Sequence, residues 1–339
     1  MRDRRSITVV CCHAGGEVGN VVVAGVEPPP GETVYERMEA LRADDSLRRF
    51  LLREPRGSVA QHANLLVPTG REDCAAGYVI MEPTEYPAMS GSNTICVATV
   101  LLEEGIVPMS EPETVLRLEA PAGVVEVRAR CRAGRVESVE LENVVSFAAH
   151  LDAPLEVEGL GTIRVDVAFG GMWYALADAY ALGFVIEPSE ARELCDAGER
   201  IRAAARAQLA CVHPDNPGIA GVSIVQLAEP FGEPGATLRN AVVVAPGRLD
   251  RSATGTGLSA RLAALHAKGK LRVGEGINHA SPIGSVFEGR IVREEGPGIV
   301  PAIRGSAFVT GRMELYVDPD DPFPQGYLLT DTWPGADTQ

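Results

Sequence analysis

Alternating apolar and polar positions open the chain. "SITVVCCHAGGEVGNVVVAGV" (6–26) reads as a strand, a Gly-Gly turn and a second strand. In "GETVYERMEALRADDSLRRFLL" (31–52) Met38, Leu41, Phe50 and Leu51 form an apolar stripe, and Thr33 with Glu36 has capping-box spacing. That pattern predicts a helix. "AGYVIM" (76–81) is a strand, and it leads to "AMSGSNTICVATVLLEEG" (88–105), a small-residue turn running into a helical pattern. The short alternating runs of residues 114–147, broken by Ala-Gly turns, predict an antiparallel meander.

The order then recurs. "GTIRVDVAFGGMWYALADA" (161–179) is again strand, Gly-Gly, strand, and 189–212 is a long helix with Ser189 as its N-cap. "GVSIVQLA" (221–228) and "RNAVVVAPG" (239–247) are strands. They precede a second hydroxyl-rich turn and helix, "SATGTGLSARLAALHAKG" (252–269), and strands return over 284–296 and 305–319. Ser90 and Thr254 are each followed by glycine, and each has another glycine 15 residues on, at Gly105 and Gly269, where a helix would stop. Gly15 precedes Ser90 by 75 residues and Gly170 precedes Thr254 by 84. Common loop grammar is the bland account. The paired order predicts two related α/β halves facing one cleft. The expected boundaries are 1–152, joined by a C-terminal strand region of about 315–339, and 153–314. "VEPPPGE" and "HPDNPG" read as loops, and the tail "PGADTQ" as frayed.

At 339 residues the chain is long enough for a substantial core. Its net charge of −15, with dispersed acidic residues, argues against nucleic acid and anionic membranes as partners. No apolar run reaches the ~18 residues a membrane helix needs, and the N-terminus reads as strand rather than signal peptide. Seven cysteines without a CxxC pair fit a reducing cytoplasm, most of them as buried structural thiols. The histidines show no HxH or HxxxH spacing, so no metal is expected.

Candidate chemistry therefore rests on the two turns. A helix N-terminus offers unpaired N–H groups and partial positive charge, and small residues let an anion approach. Two such turns in one cleft can grip a carboxylate and set Ser90 and Thr254 on either face of the adjacent carbon. A capped helix without ligand is the alternative for either turn alone. Phosphate is the competing anion, but neither turn matches GxxxxGK[ST], nor GxGxxG after the first strand.

Taken together, "HAGGE" (13–17), "DVAFGGMWYALADA" (166–179), "HPDNPGIAGV" (213–222), "DRSATGTGLSAR" (250–261), "SPIGSVFEGRI" (281–291) and "DPDDPFPQGY" (318–327) resemble the motifs of the proline racemase superfamily. The resemblance implies an α/β (α+β) fold of two pseudo-symmetric diaminopimelate-epimerase-like halves, each a mostly antiparallel sheet around a central helix. It also implies a cofactor-independent cytoplasmic enzyme for small imino acids, typically a homodimer. Racemases of this family carry a cysteine in each turn. Here those positions are Ser90 and Thr254, and the histidine that follows the first cysteine is Ser92. A thiol exchanges protons near neutral pH, whereas an aliphatic hydroxyl is a far weaker acid.

In this family, threonine at the second position is associated with trans-3-hydroxy-L-proline dehydratases, which need no proton from the opposite face. The expected reaction is thus dehydration to Δ1-pyrroline-2-carboxylate, with Ser90 as base or relay. N–H groups of Gly91, Ser92, Gly255 and Thr256 would hold the substrate carboxylate. The resemblance gives Asp250 the substrate's ring nitrogen, although capping the second turn is its other reading. His13 either acts on the leaving hydroxyl or buttresses the Gly-Gly turn. His213 reads as structural, while Trp173 and Tyr174 are either pocket wall or core. Lys268 and Lys270, at a helix end, are poorly placed for a Schiff base, so no pyridoxal phosphate is implied. A 4-hydroxyproline 2-epimerase or proline racemase-like isomerase, and a non-catalytic imino-acid-binding protein, are the alternatives.

Overall fold

The computed structural model describes residues 6–318 and 320–334, so the tail from 335 lies outside the described residues. Contacts divide the chain into two compact units, one running to Leu141 and resuming at Gly305, the other Glu142–Arg304. The first opens with the hairpin of β1 (Ser6–Ala14) and β2 (Glu17–Ala24), turned at Gly15 and Gly16. Thr33 caps α1 (Val34–Ala43): its hydroxyl accepts from the Glu36 N–H at 3.2 Å, and the Glu36 carboxylate returns to the Thr33 N–H at 3.0 Å. The expected single helix is interrupted. α1 ends at Asp44, whose carboxylate takes the Ser46 N–H at 3.2 Å and starts α2 (Ser46–Leu52) afresh. T33A is expected to cost about 1 kcal/mol, read as a lower urea midpoint.

β3 (Gln61–Val67), β4 (Ala76–Met81), α3 (Gly91–Glu103), β5 (Glu113–Ala120), β6 (Gly123–Arg132) and β7 (Arg135–Glu142) follow. The second unit holds β8 (Phe147–Val157), β9 (Gly161–Phe169), β10 (Trp173–Asp178) and α4 (Ala191–Gln208). It continues with β11 (Ile224–Ala228), β12 (Thr237–Val244), the short β13 (Arg248–Leu249) and α5 (Gly255–Ala267). β14 (Gly276–Ala280), β15 (Val286–Glu295) and β16 (Gly298–Gly305) close it. The last strand, β17 (Ala307–Tyr316), returns to the first unit and pairs antiparallel with β1.

The pairings expose an internal repeat. The first unit runs β17-β1-β2-β3-β4-β5-β6-β7. The second runs β8-β9-β10-β11-β12-β14-β15-β16, with β13 an addition to β12. In both, successive neighbours are antiparallel, antiparallel, parallel, antiparallel, parallel, antiparallel, antiparallel. β17 thus takes in the first unit the place that β8 takes in the second. That pairing brings the chain back at Gly305, earlier than the region of about 315 expected from sequence.

α3 and α5 occupy equivalent places, and both are buried nearly all round, as core helices are. α3 packs on β1, β2 and β17, and α5 on β8, β9 and β15. Fully burying Ile95, Val97, Val100 and Leu101 contributes roughly 1.5–3 kcal/mol each. Gly105 and Gly269, just past the two helices, have positive φ of 67° and 70°, which glycine adopts without a Cβ penalty. α4 turns Leu194, Ala197, Ile201 and Ala205 to the core. Ser189 is not its cap: Pro188 opens a 3₁₀ turn, Pro188–Glu190, and Glu190 becomes the N-cap. The Ser189 hydroxyl donates instead to the Glu187 carboxylate at 3.0 Å.

Candidate active site

The first turn leaves β4 and reaches Ser90, the N-cap of α3, in extended conformation (φ −151°, ψ 121°). The hydroxyl of Ser90 does not cap the helix. The Ser90 carbonyl accepts the Thr94 N–H at 3.0 Å and the Thr94 hydroxyl at 2.7 Å, and Tyr78 Oη lies 2.6 Å from Thr94 Oγ1. These bonds fix the backbone and leave Ser90 Oγ for other partners. It accepts a hydrogen bond from Asn93 Nδ2 at 2.9 Å and lies 3.4 Å from Ser92 Oγ. Gly91 and Ser92 are the first two residues of the helix, so their N–H groups are among those with no partner inside it.

The second turn is wired differently. Thr254, the N-cap of α5, sits at φ 59°, ψ 103°, in a region uncommon for a β-branched residue and costing on the order of 1–3 kcal/mol. Asp250 holds it there. One carboxylate oxygen accepts the Ser252 N–H at 2.8 Å, and the other accepts the Thr254 hydroxyl at 2.9 Å. Ser252 Oγ in turn accepts the Thr254 N–H at 3.1 Å. Asp250 therefore ties Ser252 and Thr254 together. Gly255 and Thr256 begin the helix, and Thr256 Oγ1 lies 2.7 Å from Tyr174 Oη.

Each turn is tied to the Gly-Gly element of its own unit or to the sheet behind it. A Cβ on Gly170 would meet the Thr256 carbonyl at 2.2 Å and the Ala260 nitrogen at 2.5 Å, so only glycine lets that turn lie against α5. Asn143 Nδ2 bridges the two, donating to the Gly170 carbonyl and to Ser259 Oγ, both at 2.8 Å. In the first unit His13 Nδ1 accepts the Gly16 N–H at 3.2 Å. His213 is structural: its ring packs on Phe147 and Phe169, and its Nδ1 accepts the Asp215 N–H. Trp173 belongs to the same core, with Nε1 donating to the Ile219 carbonyl.

Sequence reasoning passed over His62, Asn64 and Asn93, buried side chains that reach Ser90 through Asn93. Asn93 is also 3.2 Å from His62 Nδ1, and His62 Nε2 is 3.2 Å from Glu17 Oε1. A signal was present. "QHANLLV" has the apolar run of a buried strand, yet His62 and Asn64 alternate on one face of it.

Cys96, on α3, is buried, and burial, then its hydrogen bond to Cys12, pushes it well above the ordinary thiol range. It is a poor base. A cavity of about 590 Å³ in the second unit is lined by Asp166, Asp178, Glu229, Arg261 and Lys268, but by neither Asp250 nor Thr254. Two of its cations already have partners: Lys268 pairs with Asp166 at 2.7 Å and Asp152 at 3.2 Å, and Arg261 donates to the Glu229 carbonyl. Among the described residues, no cluster of three or more His, Cys, Asp or Glu is disposed to hold a metal ion, and no helix is long and apolar enough to cross a membrane.

An α/β strand repeat with a buried helix in each unit defines the fold class. It is shared with a methylitaconate-delta-isomerase at 14% identity (TM-score 0.56, 93% of this chain and 96% of that one). The chain belongs to the proline racemase family, whose profile matches residues 9–328. A probable proline racemase from Agrobacterium radiobacter K84, with bound carbonate, is 41% identical (TM-score 0.90, 96% of this chain and 98% of that one). A hydroxyproline epimerase from Agrobacterium vitis, with bound trans-4-OH-L-proline, is 40% identical (TM-score 0.92, 98% and 97%).

Proposed function

We propose that the chain is a cofactor-independent lyase that dehydrates trans-3-hydroxy-L-proline to Δ1-pyrroline-2-carboxylate. Its family and its likeness to a hydroxyproline epimerase support an imino acid as substrate. In this reading both turns serve one ligand. The N–H groups of Gly91, Ser92, Gly255 and Thr256 hold its carboxylate and stabilise the charge that builds as the α-proton leaves. Ser90, as its alkoxide, takes that proton and as the neutral hydroxyl passes it to the 3-hydroxyl, which restores the alkoxide. The C3–O bond then breaks, so that the α-hydrogen and the hydroxyl depart together as water. The enamine left behind tautomerises to the cyclic imine.

One observation carries the choice of dehydration over inversion. The Thr254 hydroxyl donates to Asp250 at 2.9 Å. Inversion at C2 needs an acid that returns a proton to the second face, and here the proton of that hydroxyl is directed to a carboxylate. A 4-hydroxyproline 2-epimerase is the second reading. The likeness to the Agrobacterium vitis epimerase, at 40% identity over 98% of this chain, favours it.

The purified protein in deuterated water, given proline and the 3- and 4-hydroxyprolines, distinguishes the two by proton NMR. Dehydration consumes the trans-3 isomer and gives a product that traps with o-aminobenzaldehyde. Exchange of the α-hydrogen of 4-hydroxyproline, with appearance of its C2 epimer and no trapped product, would replace this reading with the second. Binding of pyrrole-2-carboxylate without turnover of any of these would overturn both.

A further inference from the structure

Beneath Ser90 runs a row of buried polar side chains whose orientation can be worked out from one end. The Asn20 backbone carbonyl can only accept, and Asn64 Nδ2 lies 3.3 Å from it. The same Asn64 NH₂ group faces Asn93 Oδ1 at 2.8 Å. Asn93 therefore turns its oxygen toward Asn64 and its NH₂ the other way. The two protons of that NH₂ go to Ser90 Oγ at 2.9 Å and to His62 Nδ1 at 3.2 Å. With Asn93 so turned, His62 Nδ1 accepts and the ring proton sits on Nε2, which faces Glu17 Oε1 at 3.2 Å, while Glu82 Oε1 lies 3.6 Å from Nδ1. The row is packed closely: a Cβ on Gly19 would lie 2.9 Å from Asn93 Oδ1, so β2 carries no side chain there.

We propose that Asn93, held by Asn64 and by the His62–Glu17 pair, is the positioning residue that makes Ser90 a proton acceptor. This rests on the reading of Ser90 as the base. An N–H fixed on Ser90 Oγ does two things. It turns the hydroxyl's own proton away from the row, because a donor already faces it from that side. It also stabilises the oxygen when it carries negative charge, an effect strengthened by the buried surroundings and the start of α3. A hydroxyl at this place gains acidity from its neighbours, which would offset part of the disadvantage of serine against cysteine.

The test is a thiol reporter that needs no substrate, so it stands or falls apart from the hydroxyproline chemistry. In S90C, the pH dependence of iodoacetamide alkylation is followed on the peptide carrying position 90 by mass spectrometry. The thiolate fraction at neutral pH is expected to exceed that of an ordinary thiol by about tenfold. S90C/N93A is expected to lose that excess. S90C/N93D, which keeps the shape but sets a carboxylate oxygen against the thiol, is expected to fall below an ordinary thiol.

N93A alone is expected to lower kcat with KM little changed, whereas a merely structural loss would change the melting temperature and leave the titration alone. Identical alkylation profiles in S90C and S90C/N93D would overturn the proposal. If N93A does not fold, the isosteric N93D decides by itself.

Discussion

S90A is expected to lose turnover of trans-3-hydroxy-L-proline by about 10²–10⁴-fold, the range a positioned general base contributes. The substitution is well suited to isolating chemistry from stability. The Ser90 hydroxyl does not cap α3, and the bonds that hold the turn run from the Ser90 carbonyl, which alanine keeps. The melting temperature should fall by no more than the loss of one acceptor for the Asn93 N–H costs, about 1–3 kcal/mol, while kcat collapses. Steady-state kinetics and a thermal melt on the same preparation check both halves. Turnover within a few-fold of the parent would remove Ser90 from the mechanism and direct attention to the Thr254–Asp250 pair, the other hydroxyl with a defined proton partner.

The second large effect is on stability. Adding one methyl group in G170A places it 2.2 Å from the Thr256 carbonyl and 2.5 Å from the Ala260 nitrogen. Both are backbone atoms of a buried helix, so no side chain can swing aside, and the Gly170 turn or α5 must move. Overpacking of this kind costs about 1–3 kcal/mol. For a unit of this size that lowers the melting temperature by about 2–4 °C per kcal/mol. The displacement also falls on the first turn of α5, where Asn143 ties the two elements together. Catalytic loss should therefore accompany the drop in stability. An unchanged melt would mean that this turn stands off from the helix.

Local rules made much of this legible. A capping box at Thr33 and Glu36, an apolar run at Ala76–Met81, and glycines past α3 and α5 are signals carried within a few residues of the element they mark. They failed where two local signals competed. Asp44 offered its carboxylate to the Ser46 N–H, two residues on, and split a helix, and Pro188 displaced Ser189 as the start of another. Long-range pairing was the larger gap. Nothing near Ala307–Tyr316 announces that this strand pairs with β1 some 300 residues earlier.

The candidate turns were visible because glycine and hydroxyl residues cluster at a helix start. The wiring behind them was not. Asn93 and Asp250 each have several possible partners, and only the folded chain shows that one donates to its hydroxyl while the other accepts. That difference in polarity separates Ser90 from Thr254, two residues that look interchangeable in a string of letters.

The return of β17 has a consequence for synthesis. The second unit is one uninterrupted stretch and holds all its strands once Gly305 has been added, whereas the first lacks an outer strand until Tyr316 is in place. On the ribosome the half made first is thus the half finished last. Until then, β1 leaves an open edge of exposed backbone amides and carbonyls.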